Sequence, residues 1–307
     1  MLNRVTNLTM SAAAQRTLQA QQSKLAQLQE KATTLDKISR PSDDPAATAL
    51  ALDTRARLAA TAQYGRNIDD GNSWLTAADS ALEQATNVMQ KIKDLTVQAG
   101  NGSLPQSGKD AIANELTALN QDLVSIGNSQ HLGRNIFAGS SDAAGAFTPG
   151  TPRDPSIPAD TGTPPSFAGV ANTSVERRIS ATESVRVDAD GAAIFGSGAG
   201  SVFDIVSQMA ADLRTGKDIS PRLAAVDTAF KNIVNGRSEI GTRQSQLERA
   251  GSVNTELEAS LDAQKTGIEK ADLGSVIMDL KLQETNYQVA LAATARVLQP
   301  TLMDFLR

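Results

Sequence analysis

The sequence predicts a mainly α protein, an elongated bundle of long, coiled-coil-like helices formed by both chain ends, with a small β-containing outer insert. Near the start, Ala14, Leu18, Gln21, Leu25, Leu28, Ala32 and Leu35 recur at alternating steps of four and three. Near the end, Leu273, Ile277, Leu280, Glu284, Tyr287, Leu291, Thr294 and Leu298 keep the same rhythm. That spacing lays each set along one stripe of a helix, the seam of helices packed side by side. Between them lies a polar, Gly/Pro-rich stretch that neither pattern can cross.

The elements follow in order. Residues 11–37 are rich in Ala, Gln, Leu and Lys without Gly or Pro, which predicts one helix. It must stop by Arg40-Pro41, because the residue before Pro is pushed out of the helical region. Ser42-Asp43-Asp44-Pro45 is a restart signal. Asp44 can cap the first free N–H groups, and Pro45 sits where its missing N–H costs nothing. The next helix runs from Ala46 to about Val97 and ends at the turn signal Ala99-Gly100-Asn101-Gly102. Another spans about 109–128, with Ile112, Leu116, Leu119, Leu123 and Ile126 on one face.

From Ala138 to Gly200 the character changes. Thr148-Pro149-Gly150-Thr151-Pro152 and Thr163-Pro164-Pro165 exclude helix. Val175–Ile179 and Ser184–Asp188 alternate apolar and polar residues, and Asp190-Gly191 reads as a turn into Ala192–Phe195, a small antiparallel strand unit. Helical pattern returns at 201–215 and, after a Ser220 cap, at 221–234. A long run from Arg237 follows, about 90 Å if continuous to Leu298. Gly251, Gly267 and Gly274 predict a bend or break within it. The domain division expected is 1–45 with 271–307 as a terminal helical pair, 46–139 with 201–270 as a helical bundle, and 140–200 as the insert.

Composition excludes several functions. The 307 residues hold two Tyr, seven Phe and one Trp, a poor supply for a thick core and a good one for thin bundles with small-residue seams. A net charge of -5 with dispersed basic residues argues against nucleic acid as a partner. The absence of cysteine removes disulfides, thiolate metal sites and Cys nucleophiles. No apolar run approaches the roughly 18 residues of a membrane span, so no membrane partner is expected, and the mixed opening 1–10 lacks a cleaved-leader pattern.

The chemistry-bearing residues have simple readings. His131 stands alone, so one chain can build neither a His metal cluster nor a His-dependent triad, and a surface loop is its expected place. Asp43-Asp44 is explained by capping, and Asp69-Asp70 lies within a helix, facing solvent. Gly196-Ser197-Gly198-Ala199-Gly200 follows a strand and precedes a helix but lacks the spacing of a phosphate loop, so it reads as a flexible hinge. Trp74 reads as a core anchor. No catalytic set, cofactor or metal is expected, and the protein is not expected to be an enzyme.

The terminal arms look insufficient alone. Leu18, Leu25, Leu28 and Leu35 supply about 6–12 kcal/mol if fully buried, at roughly 1.5–3 kcal/mol each. Ordering some two dozen residues costs on the order of 1–2 kcal/mol per residue. The arm should therefore order only against partner helices. The candidate assembly interface is Leu18, Leu25, Leu28, Leu35, Leu273, Ile277, Leu280, Tyr287, Leu291, Leu298, Leu302 and Phe305. The helix-break set is Pro41, Ser42, Asp43, Asp44 and Pro45.

These residues resemble a known family, the flagellin-like axial proteins of the bacterial flagellum. Ser39-Arg40-Pro41-Ser42-Asp43-Asp44-Pro45 looks like its helix break, 89–102 is similar to its helix ending, and Ala271-Asp272-Leu273 through Leu306 matches its style. The resemblance covers roughly 1–139 and 201–307. Within the family, Pro41–Pro45 and Arg134-Asn135-Ile136-Phe137-Ala138-Gly139 resemble members that join hook to filament more than filament subunits. The resemblance implies export through the flagellar type III channel without a cleaved signal and an extracellular place in the flagellum. It also implies a structural role among copies of itself in a ring or helical layer. The implied neighbours are a hook-associated protein on the hook side and flagellin on the filament side, with an export chaperone on the C-terminal helices. A filament flagellin with a short insert and a cytoplasmic coiled-coil adaptor are the alternatives.

Overall fold

A computed structural model describes residues 2–100, 104–148, 150–151, 163, 165–170 and 173–298. Long helices from both chain ends pack together, and the strands are confined to short antiparallel pairs between them. The chain divides into two compact units, residues 1–60 with 257–307 and residues 61–256.

In the first unit, α1 (Leu2–Thr34) packs against α7 (Leu273–Leu298). Helix α1 ends earlier than the Arg40-Pro41 signal requires, because Leu35 takes a left-handed φ of 57°. Pro45 then opens α2 (Pro45–Ala99), with the Ala47 N–H donating to the Asp44 carboxylate at 2.9 Å. A residue without an N–H follows directly on one whose side chain accepts the next free donor, so the restart leaves few orphan groups.

In the second unit, α2 runs beside α6 (Leu223–Glu269), joined by Arg237 donating to Asp79 at 2.8 Å. Helices α3 (Gln106–Gly127) and α5 (Val202–Arg214) pack on each other, and Leu75, Leu82, Met89, Ile92, Leu116, Leu123, Met209 and Leu213 close the core at zero exposure. The sequence break expected at 234–237 does not occur. Helix α6 passes straight through Gly236, where an added Cβ would lie 2.7 Å from Ile194, so this glycine admits a neighbour and does not end the helix. The interruption in the C-terminal run falls instead at 270–272, between Gly267 and Gly274.

Among the described residues, β1 (Gln130–His131) pairs with β2 (Arg134–Asn135) ahead of the insert, and the insert carries β3 (Phe147–Thr148) with β4 (Ser166–Phe167) and β5 (Glu176–Arg178) with β6 (Ser184–Arg186), all antiparallel. Only the last falls where the alternation placed it. Ala192–Phe195 is not a strand but the one-turn helix α4 (Gly191–Phe195), because the Asp190 carboxylate accepts from Ala193 N–H at 3.1 Å and holds the turn. The Pro-rich segment 152–162, Asn101-Gly102 and the last nine residues lie outside the described residues.

The few aromatic residues are pooled. Phe137, Phe147, Phe167, Phe195 and Phe203 form one ring cluster with centroids 4.9–5.7 Å apart, so the insert grows out of the densest part of the core. Further clamps bind it to the long helices. Trp74 is buried with Val175 and Val187, and His131 packs edge-on against it at 5.6 Å, inside the fold and not in a free loop. Asp70 does not face solvent freely either, since Arg177 of β5 donates to it at 2.6 Å. Gly196-Gly200 is a tight turn, with φ of 77° at Gly196 and a Ser201 cap on α5 at 3.2 Å.

The Asp188 carboxylate is the most demanding of these clamps. It is fully buried, accepts from Val175 N–H at 2.8 Å, and takes Arg186 through Nε and Nη2, both at 2.9 Å. That hydrogen bond, ahead of burial in the other direction, raises the Arg186 pKa above its ordinary value. Asp188→Ala would strand a half-buried guanidinium and a backbone donor. A loss of about 3–5 kcal/mol is expected by urea unfolding. Arg57→Ala, which removes an exposed pair with Asp53, should change stability by about 0.5 kcal/mol or less.

Candidate assembly interface

Along α1 the heptad stripe is written directly in the burial pattern. Ala14, Leu18, Gln21, Leu25, Leu28 and Ala32 are half-buried, while every other side chain from 12 to 34 except Lys31 is exposed. Leu35, also half-buried, closes the stripe where α1 stops. The periodicity thus fixes one face of α1, and α7 covers it.

On α7 the face turned inward is Val276, Leu280, Gln283, Glu284, Tyr287, Ala290 and Thr294, with Val276 and Gln283 buried. This seam shares Leu280, Glu284, Tyr287 and Thr294 with the sequence heptad and leaves out Leu273, Ile277 and Leu291. Leu273, Ile277 and Leu291 are 48%, 46% and 43% exposed. They join Met278, Leu282 and Val289 on uncovered parts of the same helix. The side chain of Leu298, and Leu302 and Phe305 altogether, lie outside the described residues. Helix α7 is apolar on more than one face, so a single stripe was an incomplete description of it; the mean apolarity of 273–298 was the signal that sequence reading passed over.

The seam holds a polar pair at its centre. Gln283 Nε2 donates to the Gln21 backbone carbonyl at 3.3 Å and to the Gln21 side-chain oxygen. A buried polar pair at a seam position selects register at some cost in stability, since a slipped alignment leaves both amides unpaired.

Below the seam, the break set is arranged as caps and turns. Arg40 N–H donates to the Asp43 carboxylate at 3.0 Å, Asp43 N–H to the Arg40 carbonyl at 2.9 Å, and Asp44 caps α2. Pro41, Ser42 and Pro45 are exposed. Among the described residues no cluster of three or more His, Asp or Glu side chains is placed to hold a metal. None of their helices is long and apolar enough to cross a membrane.

Comparison with known proteins identifies this arrangement. Residues 5–142 match the bacterial flagellin N-terminal helical region, and residues 223–306 match the bacterial flagellin C-terminal helical region. The chain belongs to the bacterial flagellin family. It is accordingly a structural protein of the bacterial flagellum and not an enzyme. Flagellar hook-associated protein 3 of Salmonella typhimurium is 24% identical over 295 residues, covering 88% of this chain and 89% of that one. Polar flagellin F of Vibrio parahaemolyticus is 32% identical over 120 residues, covering 39% of this chain and 32% of its own length. The crystal structure of a flagellar junction protein from Legionella pneumophila shares the fold with a TM-score of 0.58 at 17% identity, over 72% of this chain and 99% of that one.

In flagellin terms, the matched ends are the helices that pair here as α1·α7 and α2·α6. Because α1 is covered on one side only, its backbone hydrogen bonds should open at little cost in the isolated chain. Hydrogen exchange is expected to be orders of magnitude faster across 12–34 than across the core segment 112–126. Comparable protection in the two segments would contradict this. Asp44→Ala should cost about 1 kcal/mol through loss of the α2 cap, read as a lowered unfolding midpoint.

Proposed function

We propose that this flagellin-family chain is the subunit joining hook to filament, assembled through its terminal helices after export. The observation that carries the reading is the correspondence with a hook-associated protein 3 over 88% of this chain, where the flagellin match covers 39%. The site fits such a role. Leu273, Ile277, Met278, Leu282, Val289 and Leu291 leave apolar area on α7 open while α1 is already seated against another face. Apolar surface of this kind on a slender helical pair is a protein contact.

On this reading Leu18, Leu25, Leu28, Leu35, Leu280 and Tyr287 hold the pair together, and Leu273, Ile277 and Leu291 meet neighbouring copies in a ring or helical layer. Residues 1–45 and 271–307 form the innermost tube, 46–139 with 201–270 the next shell, and 140–200 the outer face. A protein that must match a hook-associated neighbour on one side and flagellin on the other needs two different axial surfaces, a heterologous contact that does not close on itself. Before assembly, an export chaperone covers the apolar C-terminal helix, and the chain leaves the cell without a cleaved signal to take its place outside.

Deleting the gene should leave cells with hooks, without filaments, and with flagellin lost to the medium. Reintroducing the chain as Met278→Asp with Leu282→Asp places charges at positions 72% and 61% exposed in the single chain, so folding should be spared. Secretion of the variant without recovery of filaments is expected. Full recovery of filaments would remove this face from the interface. Polymerisation of the purified wild-type chain into long filaments would favour a filament flagellin instead.

A further inference from the structure

The two helix breaks of the first unit are stitched to each other. The Leu35 carbonyl accepts from Ala271 N–H at 2.8 Å, and Lys37 N–H donates to the Glu269 carbonyl at 2.7 Å. Asp36 and Lys270 therefore face one another as a non-hydrogen-bonded antiparallel pair, and their side chains meet at 2.9 Å. Arg55 of α2 reaches Glu269, the last residue of α6, at 2.6 Å. A left-handed non-glycine residue such as Leu35 persists only where its surroundings hold it, and here its own carbonyl is one of the stitches.

The linkers differ in length. One runs from 35 to 44, the other only from 270 to 272. Three residues reach at most about 10 Å, which fixes the separation of α6 and α7, whereas the longer linker has chain to spare. Beside the stitch, Ile38, Arg40, Pro41, Leu52, Arg55 and Glu269 line a cavity of about 190 Å³. That space gives the longer linker room to rearrange without displacing a packed core.

We propose that the paired breaks form one joint, in which residues 270–272 are the axis, residues 35–44 are the slack, and the Asp36–Lys270 and Arg55–Glu269 pairs are a latch that makes both linkers move together. The packed α1·α7 pair then swings as one body, and its seam survives the motion. The joint is built within this chain and does not depend on which flagellar neighbours it meets.

The latch responds to acid. Glu269 faces Arg55 from α2, Asp36 and Arg40 from the longer linker, Lys265 along α6 and Lys270 beyond it. Its hydrogen bond from Arg55, foremost, and the charges of Arg55 and Lys265 hold the carboxyl below its ordinary value, against partial burial and Asp36. A lowered carboxylate pKa adds stability that is present above the unfolded value and lost as pH falls through the folded one. The joint is therefore latched at neutral pH and released once the medium drops below the usual glutamate range.

Hydrogen exchange on the full chain tests the coupling. Glu269→Gln at neutral pH should raise exchange several-fold in 35–38 and in 269–272 together. The wild type in acid should do the same after correction for intrinsic rates. Faster exchange in 269–272 alone, with 35–38 unchanged, would show the linkers moving independently and overturn the proposal. Because the chain has no cysteine, Asp36→Cys with Lys270→Cys gives a clean second measurement. Mild oxidation should form the cross-link and restore protection to both segments in a Glu269→Gln background. Failure to cross-link, or protection restored in one segment only, would equally overturn it.

Discussion

Gln21 meets Gln283 across 262 residues of sequence, in the middle of the seam between α1 and α7. Bringing such distant segments together costs about 5 kcal/mol in loop-closure entropy if nothing else holds the intervening chain. Something else does. Within the first unit, the Arg55–Glu269 pair and the backbone hydrogen bonds between the two linkers hold the end of α1 beside the start of α7. The terminal pair thus takes its register from the linkers that lead into it.

This dependence explains why the seam can be so polar. Gln, Ala and Thr occupy positions where a free-standing coiled coil would carry Leu or Ile, and α1 is only half-covered along its stripe. The arrangement favours specificity over stability: the Gln21–Gln283 pair penalises slippage, while the thin apolar content leaves the arms easy to unfold. The remaining apolar area lies on the other faces of α7, and on our reading it is the subunit contacts there that complete the burial.

Much of this was legible in the residues. The heptad on α1 names its buried face residue by residue, and the order Asp44-Pro45 specifies a helix start because one supplies an acceptor and the other needs no donor. The C-terminal heptad was less informative, since α7 is apolar on several faces and periodicity alone cannot say which one a neighbour will choose. The helical patterns at 221–234 and from Arg237 read as two stretches and are one helix, with Gly236 a packing site against Ile194. Ala192–Phe195 read as a strand after the Asp190-Gly191 turn, yet the Asp190 cap decided for helix over so short a span. His131 and Asp70 read as surface residues and are not free there, because Trp74 and Arg177, their partners, come from elements whose packing no local pattern encodes.

The claim that α1 has no order of its own is open to one direct measurement. Circular dichroism of the chain truncated after residue 272 removes α7, which contributes 26 helical residues. The account predicts a helical signal reduced by that share and by most of the 33 residues of α1 as well, with the unfolding midpoint of the remaining core little changed. A loss matching α7 alone would show that α1 stands without its partner, and would contradict the dependence on which the rest is built.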